Sequence, residues 1–200
     1  MTLQNSIEKL VDGNYKISFD DTIEQLLLEK ENLPFFKDLL DDEIKQLLKN
    51  VNLIRFFPNE IIFSQGEEKD DVVYYLLDGY VNISKKSPSG FMKKISKIYS
   101  KTLLGEVKPL LHGGRTATCI AGSEGAVAIS FEIDETNITT QTSQKFYKNI
   151  CDSLVDKLNQ YNIEVDIDEI KNSFQKDSPD YYKDIACKLA KKLQDKNKLL

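Results

Sequence analysis

The sequence predicts an α+β protein that is mainly β: an eight-stranded antiparallel jelly roll (β-roll) flanked by N-terminal helices and C-terminal helices. Between Leu53 and Ile133, apolar residues recur in runs of about four to seven residues separated by turn-forming residues, as in all-β sandwiches and barrels. Helical periodicity borders this stretch on both sides. The 40% hydrophobic and 30% charged residues are typical of a soluble globular chain. No apolar run reaches the ~20 residues of a membrane span.

Residues 1–32 are predicted to form an N-terminal helical extension. The segment Phe19–Glu24 has the character of a helix start, and three consecutive leucines follow at 26–28. A second helix is predicted after Asp41 and Asp42, whose charges suit a helix N-terminus. Its apolar stripe at helical spacing comprises Ile44, Leu47, Leu48 and Val51. This helix is expected to lead directly into the sheet.

Turn-forming residues divide the predicted sheet into strands. Asp78–Gly79, Ser87–Gly90 and Gly122–Gly125 each have the composition of a hairpin turn. In the last predicted strand, apolar residues alternate with small or polar ones, so one face is expected to be buried. The apolar members of that strand are Val127, Ile129, Phe131 and Ile133.

After Asp134 the strand pattern ends and a long amphipathic helix is predicted. Its apolar stripe comprises Phe146, Tyr147, Ile150, Leu154, Val155 and Leu158. We predict a domain over residues 33–160 that includes this helix, followed by a C-terminal helical appendage over 161–200. The second helical region of the appendage carries Tyr182, Ile185, Ala186, Leu189 and Leu193 towards a lysine-rich end.

One short loop, residues 104–118, combines an acid and an arginine between glycines. Gly105 permits close backbone approach, and the turn beginning near Lys108 offers unpaired amides at a positive dipole end. Arg115 supplies a planar fork for a phosphate, and Glu106 can accept hydrogen bonds from hydroxyls. A phosphate with a sugar hydroxyl nearby, as in a nucleotide, is the simplest ligand for this pair.

The order Gly-Glu, a short helical turn, then Arg-Thr-Ala-Thr resembles the phosphate-binding cassette of the cyclic nucleotide-binding domain family. The resemblance covers roughly residues 33–160 and includes Phe57–Glu67 and Tyr75–Val81, which look like the family's first strands. It implies that Glu106 binds the ribose 2′-hydroxyl and that Arg115 binds the cyclic phosphate. The implied ligand-binding set is Gly105, Glu106, Val107, Lys108, Arg115, Thr116 and Ala117.

The cassette departs from the family pattern at several positions. Lys108 and Pro109 stand where relatives usually carry small or aliphatic residues, and Lys101 stands near a family glycine. Lys108 either adds a second cation for the phosphate or obstructs the pocket with its stem. Pro109 loses no bonded amide at the start of a helical turn. Thr116 either contacts a guanine edge or caps its own backbone, so cyclic AMP and cyclic GMP both remain open.

Several function classes are not expected. His112 is the only histidine, so the chain lacks the ligands of a metal-dependent cupin, and no Ser-His-Asp or Cys-His pairing is credible. We expect no catalytic residue, no metal and no enzyme activity. A winged helix-turn-helix would need about 70 residues, whereas about forty follow Asn162. Because the formal net charge is also −5, nucleic acid is an unlikely partner.

The three cysteines are Cys119, Cys151 and Cys187, an odd number of widely spaced residues with no signal-like apolar segment before them. This usage favours a reduced, cytoplasmic protein. The C-terminal helix pair has an apolar stripe on which a homodimer could form.

The resemblance implies a cytoplasmic cyclic-nucleotide (cAMP or cGMP) binding regulatory protein that transmits ligand binding through its C-terminal helices to a partner protein. The helix near Phe146 either packs on the roll or closes over the bound base, as the family's last helix does. One alternative is a scaffold that keeps the fold, has lost the ligand and mediates protein–protein interaction. A cyclic dinucleotide in the same fold is a third interpretation.

Overall fold

The computed structural model describes residues 16–17, 19–87, 90–161 and 163–199. Within these residues the chain forms a mainly antiparallel sheet and six α-helices. The strands are β1 (Lys16–Ile17), β2 (Leu48–Phe56), β3 (Ile61–Phe63), β4 (Val73–Lys86), β5 (Met92–Tyr99), β6 (Thr102–Leu104) and β7 (Thr118–Ile133). The helices are α1 (Phe19–Glu29), α2 (Asp41–Leu47), α3 (Val107–Leu111), α4 (Thr140–Gln160), α5 (Ile167–Asn172) and α6 (Tyr181–Leu199), with a 3₁₀ turn at Lys30–Asn32.

The sheet is built around two long strands, β4 and β7. Its order is β1-β2-β7-β4-β5, with β3 also paired to β7 and β6 to β4. All pairings are antiparallel, so the strands can be linked by short connections. The loop between β6 and β7 contains α3 and the whole predicted cassette, which places the cassette at one end of the roll.

The predicted count of eight strands is not confirmed, because two predicted turns lie inside long strands. Six strands of three or more residues occur in the described ranges. Asp78–Gly79 is a bend within β4, where the register against β7 shifts and Gly79 has φ +78°. Gly122–Gly125 likewise lies within β7. Glycine permits such bends without ending a strand. A Cβ on Gly79 would lie 2.6 Å from the Gly125 carbonyl oxygen, so the two bends pack together.

The third predicted turn joins β4 to β5. Pro88 and Ser89 lie outside the described residues, and the flanking strands pair with Lys86 opposite Met92.

The prediction of a helix through Val51 was wrong at the C-terminal end of that helix. Helix α2 stops at Leu47, and Leu48 already pairs with Ile133 of β7. Tertiary strand pairing overrides the helical spacing of the apolar residues here.

The sheet separates two hydrophobic cores. Val127, Ile129 and Phe131 of β7 belong to a large core shared with the helices. Ala126 and Ala128, on the opposite face, belong to a smaller core inside the roll. The prediction of one buried face for this strand therefore understates its burial, because successive side chains enter different cores.

The C-terminal helices belong to the larger core. Thr139 caps α4 by accepting a hydrogen bond from the Thr142 amide at 3.1 Å. Of the predicted stripe of α4, five residues are buried and Val155 is partly buried, and all of them contact the core that the helices share with the sheet. Helix α6 packs against α4 and α3, and its buried residues include Ile185, Ala186, Leu189 and Leu193. The boundaries at 32/33 and 160/161 stay a prediction. No helix in the described ranges is long and apolar enough to cross a membrane.

Candidate functional site

The cassette is a compact connection between β6 and β7. Gly105 follows β6 with φ +83°, α3 forms a single turn, and His112 ends it in the left-handed conformation with φ +50°. A side chain on Gly105 would collide with the guanidinium of Arg115. The absence of a side chain at Gly105 therefore leaves the space that the Arg115 guanidinium occupies.

Arg115 is held by groups of the roll and is only 3% exposed. Its Nη1 donates to the Gly105 carbonyl at 3.0 Å, and its Nη2 donates to the Val72 carbonyl at 2.7 Å. Nη2 also pairs with Asp70 at 2.9 Å, and the guanidinium carbon lies 4.5 Å from the centre of the Phe63 ring. Its buried Nε has no hydrogen-bond partner within the described part of the chain. One strong donor thus remains available for a ligand.

The backbone around Arg115 is fixed to the turn after β3. The Arg115 amide donates to the Glu67 carbonyl at 3.0 Å, and the Gly66 amide donates to the Arg115 carbonyl at 2.8 Å. A Cβ on Gly114 would lie 3.0 Å from the Gly66 carbonyl oxygen, so a larger residue would push the two segments apart. The position of the arginine is therefore set by the roll alone.

Glu106 is paired with a residue from the C-terminal half of the chain. It is 1% exposed, and its Oε1 accepts a hydrogen bond from Nζ of Lys157 in α4, which is 4% exposed. A carboxylate buried to this degree without a cation would be strongly destabilising. Lys157 therefore stabilises the buried carboxylate and occupies one of its two oxygens.

The ammonium group of Lys108 is already paired with a carboxylate, so it is not a free second cation for a phosphate. Its buried side chain lines the cassette cavity, and its Nζ lies 2.5 Å from Oδ1 of Asp71. The carboxylate of Asp71 is largely exposed. The ammonium is thus already neutralised at the edge of the site.

The cassette encloses a cavity of about 60 Å³. Ligand pockets in proteins usually measure about 300–1,000 Å³, so a nucleotide cannot enter this arrangement without movement. The walls outside the cassette are Phe63, Ile83, Ile98, Leu104, Lys157, Tyr161 and Leu193. Three of these come from the C-terminal part of the chain, namely Lys157 of α4, Tyr161 directly after α4, and Leu193 of α6, so this part covers the site.

All seven residues predicted from the sequence line this cavity: Gly105, Glu106, Val107, Lys108, Arg115, Thr116 and Ala117. Their role as ligand contacts stays a prediction.

His112 is exposed, as expected for a residue at the tip of the cassette. In the described ranges no group of three or more His, Cys, Asp or Glu is placed to hold a metal ion.

The sequence reasoning missed the residues that close the site. Lys157 follows Ile150 by seven positions and Leu154 by three, so helical spacing already puts it on the buried face of α4. A lysine on such a face calls for an acidic partner, and Glu106 was the candidate. Asp70, Asp71 and Leu193 carried no comparable signal, because their proximity to the cassette depends on tertiary packing.

Comparison with known structures shows the same fold at low identity. A cyclic nucleotide-binding domain from Methylobacillus flagellatus KT is 16% identical, with 80% of this chain and 90% of that chain covered and a TM-score of 0.57. The regulatory subunit of a cAMP-independent protein kinase A from Trypanosoma brucei is 21% identical, with 72% and 50% covered and a TM-score of 0.52. DNR from Pseudomonas aeruginosa is 18% identical, with 78% and 67% covered and a TM-score of 0.52.

The extent of these matches is limited. The chain spans 42% of the matched protein kinase A regulatory domain from Toxoplasma gondii, 40% of a second regulatory-subunit structure from Trypanosoma brucei, and 50% of the Trypanosoma brucei subunit described above. No curated protein matches the sequence significantly. The family model described as the cyclic nucleotide-binding domain matches residues 53–136, which span β2 to β7 and include the entire cassette. Residues 53–136 of this chain, including the cassette, are therefore similar to the cyclic nucleotide-binding domain.

Proposed function

We propose that this chain is a cytoplasmic regulatory protein that binds a cyclic nucleotide, cAMP or cGMP, in the cassette cavity. The observation that carries the proposal is Arg115: an almost fully buried arginine whose Nε has no partner in the described residues and which lines the same cavity as Glu106. A buried, unpaired donor of this strength is costly unless it serves a ligand. A cyclic phosphate supplies the matching acceptor, and a ribose hydroxyl can donate to Glu106.

Ligand entry requires the C-terminal helices to move. A ribose hydroxyl at Glu106 would compete with Lys157, which now donates to its Oε1, and the base needs space beside Leu193 and Tyr161, which line the cavity. The ligand therefore binds better to a state in which α4 and α6 are displaced. Differential affinity of this kind is what shifts a conformational equilibrium. We propose that this displacement changes a contact with a partner protein, and that ligand binding needs no catalytic chemistry.

One residue of the cavity wall, Thr116, can influence the preference of the site for cAMP or cGMP. Thr116 is partly buried and lines the cavity beside Arg115. The Thr116 hydroxyl can both donate and accept, so it can bond to a guanine edge or to the amino group and ring nitrogens of an adenine, depending on how the base lies. Competition between cAMP and cGMP on the intact chain measures this preference directly.

The first experiment is a thermal-shift titration of the full chain with cAMP, cGMP and a cyclic dinucleotide. A ligand at about 100 times its dissociation constant stabilises the folded state by about 2.7 kcal/mol. We expect Arg115→Ala to weaken binding by at least about 2–3 kcal/mol, because it removes one side of a buried charge pair. Arg115→Lys keeps the charge and loses the fork. An unchanged titration of Arg115→Ala would remove the proposal.

The matched control is Arg55→Ala, at the other arginine of the chain. Arg55 lies on β2, with its guanidinium carbon 5.6 Å from the centre of the Phe57 ring, and does not line the cassette cavity. Its loss should leave the ligand shift intact. Equal loss of binding in both variants would mean that the ligand responds to net charge and not to the cassette.

A second candidate function is a ligand-free scaffold with the same fold. The cavity of about 60 Å³ and the Glu106–Lys157 pair favour it, since both make the site self-sufficient. The matched Trypanosoma brucei protein is described as the regulatory subunit of a cAMP-independent kinase, so the fold does not by itself require cAMP. The scaffold predicts no thermal shift with any of the three ligands and a partner contact that ignores nucleotide.

A further inference from the structure

The acidic chain contains one long basic segment. From Gly79 to Gly105 there is no Asp or Glu, whereas lysine occurs six times, at 85, 86, 93, 94, 97 and 101. The formal net charge of the whole chain is −5, so the rest of the molecule carries the acidic excess. This asymmetry concentrates positive potential on β4, β5 and the turns beside them.

The basic segment extends past the edge of the sheet as a two-stranded ribbon. The last pairing of β4 with β7 is Ser84 opposite Thr118. Beyond it, β4 pairs only with β5, and Lys85 lies opposite Lys93. Like charges directly opposite each other on paired strands are destabilising. The ribbon therefore accumulates positive charge at a cost to its own stability.

The end of the same ribbon exposes two large apolar side chains. Phe91 is 76% exposed and Met92 is 50% exposed. Lys86, Lys93 and Lys94 beside them are exposed and form no ion pair with any residue that the structure describes. Lysines alone on an edge strand would serve to prevent pairing with another sheet. That role does not account for a phenylalanine and a methionine at the tip.

We propose that the end of the β4–β5 ribbon docks onto an anionic lipid membrane. In this arrangement Phe91 and Met92 enter the interfacial region, and Lys86, Lys93 and Lys94 lie against acidic headgroups. Apolar residues next to a lysine cluster are the two attractions that hold peripheral proteins on such surfaces. This contact is separate from the cassette and does not depend on the bound nucleotide.

A membrane fits the ribbon better than a nucleic acid does. Both arginines of the chain lie outside the ribbon, so its cations are lysines, which act as point charges without a fork for bases or phosphates. Single strands are bound by successive aromatic platforms, whereas the tip has one aromatic ring beside a methionine. The acidic remainder of the chain would also repel a long polyanion that extended beyond the tip.

The test is sedimentation of the full chain with vesicles of phosphatidylcholine alone or mixed with phosphatidylserine. We expect binding only to the mixed vesicles. Changing Lys86, Lys93 and Lys94 together to Gln should lower the partition coefficient about 100-fold, since each lysine near an anionic surface contributes about a factor of five. The control changes the exposed Lys45, Lys176 and Lys192 to Gln, with the same change in net charge and no expected effect.

Insertion of the tip can be followed separately because the chain has no tryptophan. Emission from Phe91→Trp should shift to the blue with anionic vesicles, whereas emission from Leu28→Trp, at an exposed site on α1, should not. Equal binding to both vesicle types, equal loss in both lysine variants, or binding to heparin or RNA without binding to vesicles would each overturn the proposal.

Discussion

The two charged ends of the cassette cavity are built in different ways. At the Arg115 end every partner comes from the roll and its connections: Gly105, Val72 and Asp70. At the Glu106 end the partner is Lys157, which lies 51 positions further along the chain in α4. Leu193 of α6 adds apolar cover to the same cavity. The Arg115 end is thus built from the connections of the roll, whereas the Glu106 end is completed by the C-terminal helices.

Under the proposed function, the Arg115 end mainly sets the affinity for the ligand, and the Glu106 end links the ligand to movement of the C-terminal helices. A phosphate at the Arg115 end would then accept a hydrogen bond from Nε, while Nη1 and Nη2 stay bonded to Gly105 and Val72. A ribose hydroxyl at the Glu106 end would compete with Lys157 for the carboxylate, and that exchange would couple the ligand to the C-terminal helices. Variants at the Arg115 end should therefore change mainly the affinity for the ligand. Variants at the Glu106 end should change mainly the stability of the arrangement in which Lys157 is paired with Glu106.

The largest expected effect is on stability at the Glu106 end. Lys157→Ala leaves a buried carboxylate without a cation and should lower the free energy of unfolding by about 3–5 kcal/mol. Combining it with Glu106→Gln should recover part of that loss, because no unpaired charge remains. Chemical denaturation of the single and double variants measures both values.

The control for this prediction is Lys145→Ala. Lys145 Nζ lies 3.0 Å from Glu43 Oε1, but its side chain is about a third exposed, so water replaces the lost partner. We expect a loss of at most about 1 kcal/mol. Equal losses at Lys145 and Lys157 would mean that the Glu106 pair is not effectively buried in solution.

A smaller effect is expected at the Arg115 end, from Gly105→Ala. The residue has φ +83°, and a Cβ would collide with the arginine, so two costs add. Gly66→Ala is the matched control, because Gly66 has φ +82° and no atom within 4 Å of the added Cβ. The backbone cost, about 1–2 kcal/mol, is common to both variants. Any further loss in Gly105→Ala, measured by thermal unfolding, reports displacement of the guanidinium.

If the two glycine variants lose the same stability, Arg115 does not need the space beside Gly105. The ligand titration then gives a second comparison. Gly105→Ala should weaken nucleotide binding because it moves the guanidinium, whereas Gly66→Ala should change it less, since Gly66 contributes a backbone amide but does not line the cavity.

The sequence predicts the Arg115 end of the site better than the Glu106 end, for a physical reason. Gly105, Glu106 and Arg115 lie within one loop, where local spacing records the chemistry directly. The partner of Glu106 is far away in sequence, so only the helical periodicity of α4 gives a clue to Lys157. Leu193 gives none, because an apolar residue on an amphipathic helix has the same pattern whichever surface it covers.

The same distinction explains the errors in the fold. Asp78–Gly79 was interpreted as a turn because its local composition fits one, yet β4 continues through it against β7. The helix predicted to reach Val51 ends at Leu47 because Leu48 pairs with Ile133, 85 positions away. Composition and periodicity located the elements, and long-range strand pairing decided where they end.

The smallest expected effect is a change in thiol reactivity when the Glu106 end opens. Cys187 of α6 is partly buried, and its Sγ contacts the Leu110 carbonyl of α3 at 3.4 Å. Burial raises the pKa of this thiol, so it reacts slowly while α6 is docked. Ligand that displaces α6 should speed its modification by N-ethylmaleimide several-fold, measured by mass spectrometry of the labelled peptides.

Cys119 is the internal control for this measurement, because it lies on β7 in the core of the roll. It is fully buried, and burial raises the pKa of its thiol to about 12, so it should stay unmodified with or without ligand. Faster labelling of Cys119 as well would indicate general unfolding and not a movement of α6. Saturating ligand with an unchanged rate at Cys187 would mean that the nucleotide enters without moving α6, and the proposed route from the Glu106 end to the C-terminal helices would then be wrong.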